Sequence, residues 1–152
     1  MKQTELNNLI KAGIDALGMG EPLKALALLK QAADIELTPT VKSSLAYCMA
    51  RERGQIKSGR LTCEELIESD PENPFHYLNL GRIMLLEEDR IAAIGAFRAG
   101  MDLSPHPHII RELTLLGVRK PRVINFLHRD NPLNKYLGLI SGWLGARSLD
   151  RD

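Results

Sequence analysis

The residues best suited to chemistry in this chain are its histidines, and their spacing does not assemble a catalytic or metal site. His106 and His108 alternate with prolines in a stretch that we expect to be a rigid, exposed connection between helices. No cysteine, aspartate or third histidine adjoins them, whereas a zinc site needs roughly four ligands. His76 stands at an expected helix start and is predicted to be solvated. We therefore predict no metal site.

The sequence also contains no motif typical of a nucleophilic or a phosphate-binding site. No serine lies in a nucleophile elbow, and no glycine-rich phosphate loop follows a strand, because the sequence predicts no strands. Glutamates at positions 64, 65, 68, 87 and 88 fall in expected turns or on outer faces, where charged groups are normally solvated. We expect a chain that is not an enzyme and that uses no cofactor.

Composition and charge limit the class of protein. The chain has 152 residues, 44% of them apolar and 26% charged, with a net charge of +1. A balance this even excludes a histone-like or acidic-tail protein. Aromatic residues make up only 5%, while leucine and alanine are abundant, which favours helix.

Further features of the sequence concern the cellular compartment of the protein. No apolar run approaches the roughly 18 residues of a membrane span. Residues 1–5 do not lead into the apolar core of a secretory signal. Cys48 and Cys63 are interpreted as reduced, partly buried thiols. Together these features predict a cytoplasmic protein.

A 34-residue repeat organises most of the chain. Three segments align without a gap: 6–39, 40–73 and 74–107. Small residues recur where two helices must approach closely, and larger apolar residues recur one helical turn further on. The eighth places hold Gly13, Tyr47 and Gly81, and the twentieth places hold Ala25, Gly59 and Ala93.

Each repeat predicts two helices joined by a tight turn. In the first, residues 18–22 supply the turn; in the second, Thr40 is the expected N-cap and Gly54 the turn, and the second helix ends at residues 69–71. In the third, Pro74 begins the first helix. Residues 87–89 then form the turn before a second helix over 90–103.

This pattern resembles the tetratricopeptide repeat, a 34-residue helix–turn–helix unit, as found in small bacterial-type adaptors. The second unit departs from it, because Tyr47 and Leu66 stand where the family prefers small residues. We expect the Tyr47 ring to fill space beside Gly59 and Cys63. Unit three matches through Tyr77, Leu80, Gly81, Ala93, Phe97 and Pro105, and unit one through Ala12, Gly13, Ala25, Leu29 and Ala32.

The resemblance implies an all-α fold, an α-solenoid of such repeats with an atypical C-terminal helical cap. We predict an array over 1–120, including a partial fourth first helix at 108–117, and capping helices over 121–152. The final helix is apolar on several sides, so it packs into its own groove, docks on a second copy, or meets a partner or a membrane. Its candidate docking residues are Leu137, Ile140, Trp143 and Leu144.

In this family, places two, five, nine and twelve of each unit line a concave groove. A family clamp for a partner's terminal carboxylate is not expected here, because only Asn79 among the corresponding places suits it. Our candidate ligand contacts are Arg51, Arg82, Phe75 and Leu78. The predicted groove residues are Ile10, Ile14, Leu17, Ser44, Cys48, Arg51, Phe75, Leu78, Arg82 and Leu85, with Asn7 and Val41 at the remaining places.

Charge is uneven along the chain. Residues 1–107 carry a net charge of −3 and residues 108–152 a net charge of +4, with Arg119, Lys120, Arg122 and Arg129 close together. Four charges give little phosphate affinity at physiological salt, so we do not expect nucleic acid, and membrane contact is a lesser alternative.

The sequence therefore predicts a protein–protein interaction module, an adaptor, scaffold or assembly factor. It would bind a helical or extended segment of another protein or peptide in an apolar concave groove. The alternative is a self-associating structural protein, a possible homodimer, whose C-terminal helix fills its own or a neighbour's groove.

Overall fold

A computed structural model describes residues 1–118. These residues form seven helices and no strand, which agrees with the predicted all-α class. No helix among them is both long enough and apolar enough to cross a membrane. The helices are α1 (Lys2–Gly18), α2 (Pro22–Ile35), α3 (Pro39–Arg53), α4 (Ile56–Ser69), α5 (Pro74–Leu86), α6 (Arg90–Leu103) and α7 (Pro107–Leu115).

Most of the helices begin with a capping side chain or with a proline in the first turn. The side chains of Thr38, Asn73 and Asp89 accept hydrogen bonds from the first-turn amides of α3, α5 and α6. Proline occupies the first turn of α2, α3, α5 and α7, where its missing N–H costs nothing. The prediction of Thr40 as a cap was wrong. Thr38 followed by Pro39 is the stronger start signal, so α3 begins two residues earlier.

The turns inside the three helix pairs repeat at a fixed interval. Gly20, Gly54 and Glu88 lie 34 residues apart, and each has a positive φ, at 77°, 67° and 61° respectively. The helices that follow these turns begin at Pro22, Ile56 and Arg90, which are also 34 residues apart. A left-handed residue suits glycine but strains glutamate, so Glu88 holds this backbone at a cost. The three predicted turns are confirmed.

Close approach of the paired helices explains two of the recurring glycines. A Cβ atom at Gly81 would lie 2.4 Å from Cε1 of Phe97, a ring with no exposed surface. A Cβ atom at Gly13 would lie 2.8 Å from Cγ of the buried Leu29. In the first and third pairs, therefore, the second helix places a large side chain against a bare backbone on the first helix.

The second pair packs differently from the expectation. No gap lies beside Gly59, because an added Cβ would be 2.8 Å from the Ala46 carbonyl oxygen and 3.2 Å from both Ala50 and Ile83. None of these three nearest atoms belongs to Tyr47. The Tyr47 ring lies beneath the Arg82 guanidinium, whose central carbon is 5.5 Å from the ring centroid. Tyr47 thus contacts Arg82 on α5, a contact that the sequence did not predict.

Neighbouring pairs are joined by buried polar contacts as well as by the apolar core. Asn79 is fully buried on α5 and donates from Nδ2 to the hydroxyls of Ser43 and Ser44 on α3, at 3.1 and 3.2 Å. The Nδ2 of Asn73 donates to the hydroxyl of Thr40 at 2.9 Å. These bonds fix how α5 lies against α3, since an unpaired buried amide would cost free energy.

The seventh helix folds back toward the beginning of the chain. His108 Nε2 lies 3.9 Å from the Asp15 carboxylate, and the ring of His108 fills the space beside Gly18 at the end of α1. On its other side α7 contacts α6, and Arg90 donates to the Leu116 carbonyl oxygen. The side chain of His108 thereby brings the start of α7 against the end of α1.

Candidate functional site

A cavity of about 330 Å³ lies where the first helices of the pairs end. It is open to solvent, and its walls come from α1, α3, α5 and α7 together with the turn after α1. We call it the arginine pocket. It is lined by Leu17, Gly18, Met19, Gly20, Tyr47, Arg51, Arg82, Leu85, Leu86, Arg111, Glu112 and Leu115.

The floor of the arginine pocket is a buried ion pair. The Nε of Arg82 donates to Oε1 of Glu112 at 2.7 Å, and the two side chains are only 5% and 18% exposed. The same guanidinium lies over the Tyr47 ring, an arrangement in which a cation is attracted to the aromatic face. Helices α3, α5 and α7 are therefore tied together at this one point.

The rim of the pocket carries two further arginines. Arg51 donates from Nη1 to the Tyr47 hydroxyl at 3.1 Å, and this bond raises the pKa of Arg51 above its usual value. Its Nε also lies 3.9 Å from Glu52. Arg111 is exposed and forms no ion pair with any residue in the range 1–118. The lining of the pocket thus contains three guanidinium groups and one carboxylate, that of Glu112.

The predicted groove residues divide into two groups. Leu17, Arg51, Arg82 and Leu85 line the arginine pocket. Most of the others are packed inside the protein. Ile14, Ser44, Cys48 and Leu78 are buried, as is Val41, while Ile10 and Phe75 are half-buried, and Asn7 is exposed outside the pocket.

Packing explains why the predicted groove is mostly filled. Leu78 and Cys48 belong to the main core, and Ile10 packs on a smaller cluster around Leu6, Ala32 and Val41. Burial also raises the pKa of the Cys48 thiol to about 12, so this thiol stays protonated and unreactive. Cys63 is likewise free and buried, with its pKa raised by burial.

Eight lining residues were missed by the sequence reasoning: Gly18, Met19, Gly20, Tyr47, Leu86, Arg111, Glu112 and Leu115. A signal for three of them was present. Continuing the 34-residue register into a fourth unit places Glu112 at place five, a groove position. The same register puts Tyr47 and Leu115 at the eighth place, where units one and three carry glycine. No signal identified Arg111.

The histidines occupy different environments from those predicted. His76 was expected to be solvated, but it has no exposed surface, and its Nε2 bonds to Asp70 at 2.9 Å. Burial lowers its pKa, although Asp70 opposes the shift. The expectation that His106 and His108 form an exposed stretch was wrong for His106. That ring is buried at the start of α7, edge-on to Phe75 with 4.7 Å between centroids.

Burial, together with the charges of His108 and Arg82, lowers the pKa of His106 to about 4. The ring is therefore neutral at pH 7. The rings of His106 and His108 are 5.7 Å apart. Within residues 1–118 no group of three or more His, Cys, Asp or Glu side chains is arranged to hold a metal ion.

Some predicted residues lie outside the described range. These are the docking residues Leu137, Ile140, Trp143 and Leu144, the basic residues Arg119, Lys120, Arg122 and Arg129, and the capping segment 121–152.

Comparison of the chain with protein-family models, with curated proteins and with solved structures finds no match. The function is therefore inferred from the residues of the chain itself.

Proposed function

We propose that this chain is a tetratricopeptide-type α-solenoid that acts as a protein-interaction module, and that the arginine pocket receives side chains from a segment of a partner protein. The observation that carries the proposal is the pocket itself. It is an open cavity of about 330 Å³ to which four different helices contribute side chains. The proposal includes no catalytic step and no cofactor.

The repeat assignment is supported by backbone geometry that is independent of side-chain identity. Turns with positive φ recur at Gly20, Gly54 and Glu88, with the same interval as the starts of the second helices. A fixed interval at both features is typical of a repeat array, in which each unit packs mainly on its neighbours.

The size and chemistry of the pocket favour side-chain anchors over a small-molecule substrate. Its volume is at the lower end of the range of about 300–1,000 Å³ found for ligand sites. Leucines provide apolar walls, and the aromatic ring and arginines are residue types enriched at interaction hot spots. Leu115 and Met19 at the rim are 72% and 63% exposed, so apolar surface remains available to an incoming segment.

The partner segment that fits is shorter than the one predicted from sequence. Because Ile14, Cys48 and Leu78 are buried in the protein, they provide no continuous apolar track for a long helix. The groove residues that line the open arginine pocket lie at the turn-side ends of the first helices. A short segment that inserts one apolar side chain among Leu17, Leu85 and Leu115 satisfies this geometry.

Site-specific crosslinking tests the proposal. A photoreactive residue replaces Met19 at the pocket rim in the full chain, which is then irradiated in an extract of its host. The crosslinked segment of any captured protein is identified by mass spectrometry, synthesised, and titrated against the purified protein. We expect crosslinks from position 19 to map to one short segment with an apolar side chain.

A matched pair of variants then locates the binding surface. Leu115→Glu places a charge at the pocket rim, whereas Leu61→Glu places one at a residue on α4 that is 56% exposed and outside the pocket. We expect Leu115→Glu to weaken binding of the segment by about tenfold or more, since one buried leucine contributes about 1.5–3 kcal/mol. Leu61→Glu should leave it unchanged. Equal affinity of both variants, or scattered crosslinks, would contradict the proposal.

A further inference from the structure

We propose that the arginine pocket holds the carboxylate of an aspartate or glutamate side chain within the partner segment. This inference rests on the proposed function, because it specifies the chemistry of the segment that the pocket receives. The carboxylate is that of an internal residue flanked by apolar side chains.

The first argument is the balance of charge. Arg51, Arg82 and Arg111 line the cavity against the single carboxylate of Glu112. Glu52 lies at the edge, 3.9 Å from the Nε of Arg51, and offsets part of that charge. Among residues 1–118, at least one positive charge of the lining is left without an acidic partner, in a cavity whose other walls include leucines. Such a concentration of like charge is unfavourable unless an anion joins it.

The second argument is the hydrogen-bonding capacity that remains. Arg82 uses its Nε for Glu112, and Arg51 uses Nη1 for the Tyr47 hydroxyl. A guanidinium group has five N–H donors, so each of these arginines keeps donors for another acceptor. Arg111 keeps more of its donors than the other two arginines, because it makes no ion pair within the described range. Carboxylate oxygens match the paired donors of a guanidinium group.

The third argument distinguishes a carboxylate from a phosphate. Glu112 is itself part of the lining and is held 2.7 Å from Arg82. Three arginines against Glu112 and the neighbouring Glu52 leave one positive charge, so a dianionic phosphate would make the site net negative. A single carboxylate uses the excess positive charge without creating an excess of negative charge.

The surrounding surface explains why the carboxylate belongs to a peptide segment. Leu17, Leu85 and Leu115 border the arginines, and Leu115 is 72% exposed. A free inorganic anion would leave the exposed apolar surface of these leucines, chiefly that of Leu115, in water. An acidic residue with leucine neighbours would cover them while its carboxylate meets the guanidinium groups.

Terminally blocked peptides test this inference on the full chain. The probes are acetyl-Leu-Glu-Leu-amide, its glutamine counterpart acetyl-Leu-Gln-Leu-amide, and inorganic phosphate, and binding is followed by the NMR shifts of the arginine side-chain Nε–H groups. We expect the glutamate peptide to shift the resonances of Arg51, Arg82 and Arg111. Its affinity should exceed that of the glutamine peptide by about tenfold. It should also weaken as ionic strength rises.

A matched pair of arginine variants assigns the effect to the pocket. Arg111→Gln removes an exposed pocket charge, and Arg98→Gln removes an exposed charge on α6 outside it. Arg111→Gln should remove most of the tenfold preference for the glutamate peptide, while Arg98→Gln should preserve it. Both residues are exposed, so both variants should retain the helical circular-dichroism signal.

Each other outcome overturns the inference in a recognisable way. Equal binding of the two peptides would show that the pocket binds apolar segments and does not distinguish a carboxylate from an amide. In that case this inference fails and the proposed function is unaffected. Shifts produced by phosphate only show a site for free anions. If no probe moves the three arginines, the pocket holds no anion. In that case the crosslinks from position 19 still decide separately whether the surface binds a partner.

Discussion

The ion pair between Arg82 and Glu112 provides the sharpest test of how the pocket is built. The change is Glu112→Gln, which keeps the shape of the side chain and removes its charge. Arg82 is then left charged at 5% exposure, close to two other arginines. Removing one partner of a buried pair costs about 3–5 kcal/mol.

Partial exposure reduces that figure here. Glu112 is 18% exposed, so water reaches one side of the pair, and we expect Glu112→Gln to lower the free energy of unfolding by about 2–3 kcal/mol. Arg82→Met should cost about 1–2 kcal/mol, since the carboxylate left behind is the more exposed partner. In the double variant neither charge is stranded, so its loss should be smaller than the sum of the two single losses by at least about 1 kcal/mol.

Urea unfolding followed by circular dichroism measures these values, with hydrogen exchange as a second readout. Because Glu112 lies on α7, the amides of α7 should exchange faster in Glu112→Gln, while those of α2 should be little affected. As a control, Glu64→Gln alters a carboxylate 2.9 Å from Arg60, outside the pocket. Additive losses within about 0.5 kcal/mol, or unchanged exchange in α7, would refute the view that this pair fastens α7 to the rest of the protein.

Two further predictions concern packing and protonation. Gly81→Ala should lower the free energy of unfolding by about 1–3 kcal/mol, because the new Cβ would lie 2.4 Å from Phe97. Adding Phe97→Leu should recover part of that loss, as measured by urea unfolding. A Gly81→Ala protein as stable as the parent would contradict the packing. The pKa of His106 is lowered from 6.5 to about 4 in the folded protein, so between these pH values the unfolded chain binds more protons than the folded chain. The free energy of unfolding should therefore fall as the pH is reduced through this window, by up to about 1.4 kcal/mol per pH unit. His106→Phe should flatten the pH dependence measured by urea unfolding, and an unchanged slope would show that another group is responsible.

The sequence predicted the helices well because each helix boundary is marked locally. Gly54 and Pro74 carry their conformational preference within one or two residues, so the turn and the start of α5 could be placed without a structure. Thr38 and Thr40 flank the same proline, and both are good caps. Choosing between them needed the backbone itself, which is why that boundary was two residues off.

The pocket was harder to predict because it depends on how the pairs are oriented in space. A period of 34 residues identifies which residues are equivalent, but the angle between neighbouring pairs comes from side-chain packing. His108 contacts Asp15, a residue far away in sequence, and neither local segment contains a signal that predicts this contact. Burial of His76 was missed for a similar reason, since its Asp70 partner lies across a turn.

The contact between α1 and α7 depends on how many helix pairs lie between them. An open helical array can be extended by duplicating a unit, because each unit touches only its neighbours. Here an extra copy between Pro39 and Asn73 would carry α7 away from α1 and separate Leu17 from Arg111 and Leu115. The pocket would disappear while every individual unit stayed intact, so the pocket itself depends on the number of units.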